Sequence, residues 1–283
     1  MARPAPIARS RRARQAPFQA PLFAIECLET EAALRHAGYQ AIAGVDEVGR
    51  GCWAGPVYAA AVVLPASCYA DRTLLGEVTD SKLLSPAKRE RLAADVARLA
   101  TGAAIAWVEP PLIDQVNILG ATRLAMQAAV RCLGGAPQVQ GPCWGALRLA
   151  GAPTTPDFLL TDAVALPEIA LPQQAVVRGD RSCLSVAAAS IVAKVARDAE
   201  MCRRAGLFPH LALAANKGYG TRTHVLALHR SGVTPLHRRS FAPMKYLLGL
   251  RDHVAGALPP PPMPPPVAVE MVAEVARQLP TPA

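Results

Sequence analysis

Two apolar runs, AIAGVD (41–46) and PVYAAAVVL (56–64), are separated only by a glycine-rich turn, and after them apolar strands and amphipathic helices alternate down the chain. That order leaves few folds open, because strands alternating with helices build a sheet with helices laid on its faces. The first two runs form a hairpin. SPAKRERLAADVARLA is a helix with Ser85 as N-cap, Pro86 in its first turn and Leu92, Val96 and Leu99 on one face. GAAIAWVEP is a strand, and NILGATRLAMQAAVRCL is a helix with an Ile118, Met126, Val130 and Leu133 face. DFLLTDA (157–163) and QAVVRGD (174–180) are strands, and LSVAAASIVAKVARDAEMCRR is a long helix whose alanines permit close packing on a sheet. The pattern predicts an α/β domain with a mixed sheet of about five strands flanked by helices, followed by a basic helical region over about 199–250. GGAPQVQGPCWGALRLAGAPTTP (134–156), rich in Gly and Pro, reads as an inserted surface loop.

The ends differ in composition from this body. Residues 1–37 form a basic N-terminal extension, disordered at its Arg/Ala/Pro-rich start, and residues 251–283 form a proline-rich tail. Seven of the eight residues in PPPPMPPP (259–266) are proline, which makes a stiff polyproline II spacer before a marginal helix, VAVEMVAEVARQL. The folded body is placed at 38–250. Its longest apolar stretch, Val57 to Pro65, is far short of the roughly 18 residues that span a membrane. No apolar segment follows the N-terminal arginines, so the expectation is a soluble, cytoplasmic monomer without a secretory signal. Seven cysteines, with no CxxC among them, read as reduced thiols.

Net charge is +9, and its distribution matters more than its size. Residues 1–25 carry five arginines and no acid; residues 199–250 carry eight Lys/Arg against the single acid Glu200; the segment between has 15 basic and 17 acidic residues. A slightly acidic body beside a strongly basic segment points to a polyanionic partner, a nucleic acid.

Four acids occupy the polar ends of apolar elements or the alanine-rich helix: Asp46, Glu47, Asp162 and Asp198. Clustered carboxylates repel and take up protons unless a cation joins them. Mg²⁺ and Mn²⁺ prefer such oxygen ligands, and two ions about 3.5–4 Å apart can activate water and steady the leaving oxygen in phosphodiester cleavage. Asp46 and Glu47 are adjacent on a strand, so they serve one cation only if the alternation breaks, by a bulge, a twist or the reach of Glu47's longer side chain. Gly49-Arg50-Gly51 follows directly, offering exposed backbone and a phosphate-binding guanidinium. NKGYGTRTH (216–224) offers Lys217 for phosphate and Tyr219 as a flat ring between glycines.

Together AGVDEVGRG, DSKLLS, NILGATRLAMQAAV, LLTDA, VVRGDR, AAASIVAKVARD, FPH, NKGYGT and HRRSF, in this order over about residues 40–246, resemble the ribonuclease HII family. The resemblance implies an RNase H-like fold and an endonuclease dependent on Mg²⁺ or Mn²⁺. Such an enzyme cuts the RNA strand of RNA–DNA hybrids and cuts at ribonucleotides embedded in duplex DNA, leaving 3′-hydroxyl and 5′-phosphate ends. It implies catalytic and metal-binding roles for Asp46, Glu47, Asp162 and Asp198. Substrate contacts fall on Gly49, Arg50 and Gly51, which read the ribonucleotide, and on Lys82, Arg178, Lys217 and Tyr219. Two positions depart from the family pattern: Leu83 stands where a second lysine is usual, and Leu184 where proline is common. A DNA nuclease or strand-transfer enzyme on the same fold, or a non-catalytic nucleic-acid binder, remains open on the residues alone.

Overall fold

Residues 28–248 are described in the computed structural model; the Arg-rich start, the proline run and the segment VAVEMVAEVARQL lie outside them. A short helix α1 (Glu29–His36) leads into β1 (Ile42–Val48) and β2 (Val57–Val63), the expected hairpin. Then come α2 (Ala66–Ala70), a 3₁₀ turn at Ser81–Leu83, α3 (Pro86–Leu99) and β3 (Gly102–Val108). Ser85 caps α3 by accepting from Lys88 N–H, as its position before proline predicts. Next is α4 (Pro110–Leu133), broken at Asn117, whose left-handed backbone and side-chain oxygen cap the second half through Leu119 and Gly120 N–H. The helix read as starting at Asn117 is therefore a real capped unit, with an extra proline-led turn ahead of it. The chain continues through β4 (Val139–Gln140), β5 (Trp144–Gly151), β6 (Phe158–Asp162), β7 (Gln173–Val176), α5 (Gly179–Ser182) and α6 (Leu184–Leu207). Three short helices, α7 (Leu213–Asn216), α8 (Arg222–Ser231) and α9 (Ala242–Leu247), complete the described part. None of the described helices is long and apolar enough to cross a membrane.

The strands form one mixed sheet in the order β4-β5-β3-β2-β1-β6-β7, antiparallel from β4 to β1 and parallel through β1, β6 and β7. Period-two alternation splits each central strand between two cores. Tyr58, Ala60 and Val62 face α3 and α6 with Ile105 and Trp107, while Val57, Ala59 and Ala61 face α4 with Ala104 and Ala106. Buried alanines at 187, 188, 189, 193 and 196 bring α6 close to the sheet.

Seven strands replace the five expected, and the difference lies mostly in 134–156. That segment is not a loop: β5 pairs with β3 along its length and β4 pairs outside it. Its glycines misled because at least one serves close packing rather than a turn. A side-chain carbon on Gly145 would sit 2.2 Å from the Trp107 ring on the neighbouring strand. The strand read over 174–180 also ends early, at Val176. Arg178 then takes a left-handed backbone (φ 59), and Gly179 to Ser182 form a helical turn.

α1 lies within the expected N-terminal extension yet is tied to the domain by one buried carboxylate. Glu31 accepts from Leu184 N–H, Ser185 N–H and Ser185 Oγ at 2.7–2.9 Å, capping the start of α6. Burial raises its pKa despite those bonds.

Candidate active site

The parallel pairing of β1 with β6, with Val45 opposite Thr161, brings Asp46 and Asp162 together at the same end of the sheet. The left-handed turn at Arg178 adds a third carboxylate. Asp46, Asp162 and Asp180 each offer an oxygen, and the three lie within 4.8 Å of one another. Gly179 N–H donates to Asp162 Oδ1 at 2.9 Å, which locks the turn carrying Asp180 onto the strand end. Asp180 was missed as a candidate because VVRGD was read as one continuous strand; the signal was the Gly-Asp pair itself, a turn dipeptide inside an apolar run.

β1 does not break its alternation. Its pairing with β2 runs without a bulge through Asp46↔Ala60, Glu47↔Ala59 and Val48↔Tyr58, so Asp46 and Glu47 leave opposite faces. This corrects the expectation of a bulge and leaves the reach of Glu47's longer side chain as its way toward the trio. Glu47 stands outside the trio, 3.3 Å from Arg50 Nη1, and its Oε2 is buried with no partner. Asp198 also stays outside: it binds Lys194 at 2.7 Å and Arg89 at 3.7 Å, on α6 about two turns beyond Ser190.

Like charges in a dry site hold protons. Burial, then Glu47, pushes the Asp46 carboxyl well above its usual range, with Asp162 adding to the shift and the Ser190 hydroxyl opposing it. Glu47 is raised by burial, which outweighs the lowering by Arg50. Asp180 is raised by burial, then by Asp80 and Asp162, while Lys82 and Arg181 oppose. An all-oxygen set in which Asp46, Glu47 and Asp180 are raised, with an orphaned buried oxygen on Glu47, fits a hard divalent cation.

Asp80 organises the rim. Burial raises its pKa, but the Lys82 N–H (2.9 Å) and the Arg181 fork (2.8 and 3.1 Å) carry it below the usual value. Lys82 itself is exposed, with its ammonium 3.8 Å from Asp180. Arg178 is exposed at the head of the turn.

Gly49, Arg50 and Gly51 follow β1 directly, and the chain just beyond them is stitched to the tyrosine loop. Trp53 and Ala54 N–H donate to Gly218 O at 2.8 and 3.2 Å, and the Tyr219 hydroxyl meets the Cys52 thiol. Tyr219 is 39% exposed, and its phenol, half-buried, is pushed up to about 12 mainly by burial. Lys217 does not face the carboxylates; its ammonium contacts Cys202 Sγ and Ala214 O, both at 2.7 Å.

Two buried histidines hold the tyrosine loop from behind. Thr234 N–H donates to His237 Nδ1 (3.0 Å), so His237 donates through Nε2 to His224 Nε2 (3.0 Å), and His224 Nδ1–H donates to Tyr219 O (2.9 Å). Both are neutral at pH 7, since burial lowers His224 and takes His237 to about 4. Arg197, fully buried, donates to Pro56 O, Ala54 O and Lys217 O, joining the same two loops.

A family profile for ribonuclease HII matches residues 43–244, which include every carboxylate of this site. The chain belongs to the ribonuclease HII family. It is 47% identical over 217 residues to the ribonuclease HII of Chloroflexus aurantiacus, covering 77% of this chain and 93% of that protein. It is 48% identical over 217 residues to that of Roseiflexus castenholzii, covering 77% and 88%. Its fold is that of the ribonuclease H2 from Pyrococcus horikoshii, at 22% identity and a TM-score of 0.55, covering 73% of this chain and 96% of the other. As a ribonuclease HII, the chain is a metal-dependent endoribonuclease that cleaves the RNA of RNA–DNA hybrids. The DNA-nuclease and non-catalytic readings of the residues give way to this one.

Proposed function

We propose that this enzyme also cuts at single ribonucleotides embedded in duplex DNA, with Asp46, Asp162 and Asp180 as its central carboxylates and Glu47 beside them. The observation that supports this reading is that Gly49-Arg50-Gly51 follows directly on the strand carrying Asp46 of the trio, and that the chain just beyond it is bonded to the loop carrying Tyr219. Mg²⁺ or Mn²⁺ would be held by the trio, with the orphaned Glu47 Oε2 as a further donor. When bound, such an ion supplies Lewis acidity, lowering the pKa of a water and shielding the scissile phosphate.

The chain's own residues do the rest. Arg50 and Lys82 carry exposed cations at the rim of the trio, where they bind the phosphates on either side of the cut. Gly49 and Gly51 let the backbone approach the ribose, whose 2′-hydroxyl is the one group that distinguishes RNA from DNA. The exposed edge of Tyr219 lies against the neighbouring sugar. Asp198, bonded to Lys194 and Arg89, keeps that side of α6 electrostatically balanced beside Tyr219. Arg178 and the basic residues of 199–250 steady the duplex.

The assay is a DNA duplex with one ribonucleotide, incubated with each metal. Cleavage should occur at the ribonucleotide, leaving 3′-hydroxyl and 5′-phosphate ends, with the all-DNA duplex intact. Equal cutting of both duplexes would replace the reading with that of a DNA nuclease.

Asp180→Asn should lower kcat about 10–100-fold, the usual cost of disturbing a residue that holds or orients a metal. Metal titration of activity measures it, and the metal concentration for half-maximal rate should rise. A kcat and metal requirement equal to wild type would remove Asp180 from the site.

The raised carboxyls also predict how metal and pH act together. A carboxyl whose folded pKa lies above its unfolded value favours the fold at low pH, and that support is lost as pH rises through the folded value. Without metal, Asp46 and Glu47 should therefore erode stability as pH climbs from their ordinary values of 3.8 and 4.5. A bound cation takes the place of the protons. The rise in Tm produced by Mg²⁺ or Mn²⁺ should be larger at about pH 8 than at about pH 5. A metal-induced shift that shrinks as pH rises would contradict the assignment.

A further inference from the structure

The fold treats the two glycines of Gly49-Arg50-Gly51 differently. Gly49 has φ +92, and a side-chain carbon there would lie 2.2 Å from Arg197 Nε, so the packing itself demands glycine. Gly51 is exposed, has no left-handed φ, and a side-chain carbon on it would meet nothing within 4 Å. Nothing inside the chain excludes alanine at 51. A ligand that approaches the backbone closely from outside would.

The peptide between Arg50 and Gly51 is aimed by a side chain from far along the chain. Arg238 is fully buried, at 0% exposure. Its Nη1 donates to Arg50 O at 2.8 Å and its Nε to Gly55 O at 3.0 Å. A trans peptide is planar, with its C=O and N–H on opposite sides. An Arg50 carbonyl turned inward to Arg238 therefore turns the Gly51 N–H outward. Among the described residues, that N–H donates to no backbone acceptor.

Charge pairing does not explain the arginine. Its partners are carbonyls, its Nη2 is buried with none, and burial followed by the nearby Arg197 lowers its pKa to about 9. It stays charged at neutral pH, at a desolvation cost that an apolar side chain would avoid. Its backbone is anchored separately: its own N–H donates to Trp53 O at 2.8 Å, and Asp114 accepts from the N–H groups of Arg239 and Ser240 at 3.0 and 2.8 Å.

We propose that Arg238 is a positioning residue for ribonucleotide recognition: by holding the Arg50 carbonyl inward, it presents the Gly51 N–H as an outward donor to the ribose 2′-oxygen. A deoxyribose has no oxygen there to accept. The inference rests on the reading that Gly49-Arg50-Gly51 meets the scissile ribonucleotide.

Binding by the full chain without metal, so that no strand is cut, tests both. Affinities are measured for a duplex with one ribonucleotide and for the identical all-DNA duplex. The wild-type chain should prefer the first. Arg238→Lys keeps a buried cation but loses the two-pronged grip, and it should lower that preference about tenfold, the value of one well-placed hydrogen bond. Affinity for the all-DNA duplex should not change. Gly51→Ala, which meets no atom of the chain, should lower the preference at unchanged Tm.

No preference in the wild-type chain, or an undiminished one in Gly51→Ala, overturns the reader segment and the inference with it. Preference lost in Gly51→Ala but kept in Arg238→Lys overturns the role of Arg238 and leaves the reader standing. A fall in both affinities by one factor in Arg238→Lys marks a merely structural residue and also overturns the proposal. Should Arg238→Lys not fold, hydrogen exchange at the Gly51 amide of the wild-type chain decides. Exchange should be fast in the free protein and slowed by the ribonucleotide duplex alone; slow exchange in the free protein overturns the outward orientation.

Discussion

Asp46→Asn should abolish cleavage of a hybrid, lowering kcat by at least about a thousandfold, roughly 4 kcal/mol of transition-state stabilisation. Hybrid binding should stay within about threefold of wild type, because the basic surface that supplies phosphate affinity is untouched. The reasoning starts from burial. Asp46 is 4% exposed and shares its space with Asp162 and Asp180, so its charge belongs to the divalent site and to little else. The amide keeps the shape and can still accept from Glu47 N–H, which Asp46 Oδ1 does at 2.7 Å. What it removes is one negative charge from a like-charge cluster. For that reason the metal-free variant should be at least as stable as wild type, since the shift on Asp46 is the sign of a carboxylate held at a cost. Single-turnover cleavage and a thermal melt, each with and without metal, separate the effects. Undiminished turnover by the variant would remove Asp46 from the metal site.

Arg204→Met should destabilise the protein by about 3–5 kcal/mol, the cost of breaking a buried ion network by deleting one partner. Arg204 is almost wholly buried, with Nη1 and Nη2 on Glu109 at 2.9 and 2.6 Å and Nε on Glu200 at 2.6 Å. Those charges hold the guanidinium pKa above its usual value despite burial, which opposes it. Without the arginine, Glu109 is stranded beside the buried Tyr58 hydroxyl. Glu200 keeps only Arg203, at 2.7 and 2.9 Å. At the usual 2–4 °C per kcal/mol for a domain of this size, Tm should fall by roughly 6–20 °C. Adding Glu109→Gln to Arg204→Met should recover part of the loss by removing one stranded charge. A Tm for Arg204→Met within 2 °C or so of wild type would mean that solvent reaches the pair and that the network is not buried in effect.

Much of the fold was legible because its signals are local. The hairpin shows as two apolar runs around a glycine turn, and Ser85-Pro86 and Asn117 mark helix starts by side-chain bonds made within three residues. The long α6 shows by its alanines. What failed were segments whose local chemistry points the wrong way. β5 looked like a loop because Gly145 is required by the Trp107 ring of a neighbouring strand, a contact that no window of sequence contains. β7 looked three residues longer because nothing in VVRGD announces that an arginine will adopt a left-handed backbone.

The candidate site divides along the same line. By itself the sequence determined the residue types, the ends of the apolar elements on which the acids sit, and the family to which their order belongs. Those are properties of neighbours along the chain, governed by side-chain period and turn chemistry. Only the tertiary structure decided which carboxylates meet. The parallel register of β1 on β6 sets Asp46 beside Asp162, and the turn at Arg178 brings in Asp180. Regular pairing through Val48 leaves Glu47 outside the trio yet close enough to raise the Asp46 pKa, and Asp198 on α6 is paired instead with two cations. The direction of the Arg50–Gly51 peptide was equally out of reach, because it is set by Arg238 near the far end of the described chain. Coulomb repulsion and hydrogen bonding act over a few ångströms of space, and distance along the chain carries no information about that separation until the sheet has formed.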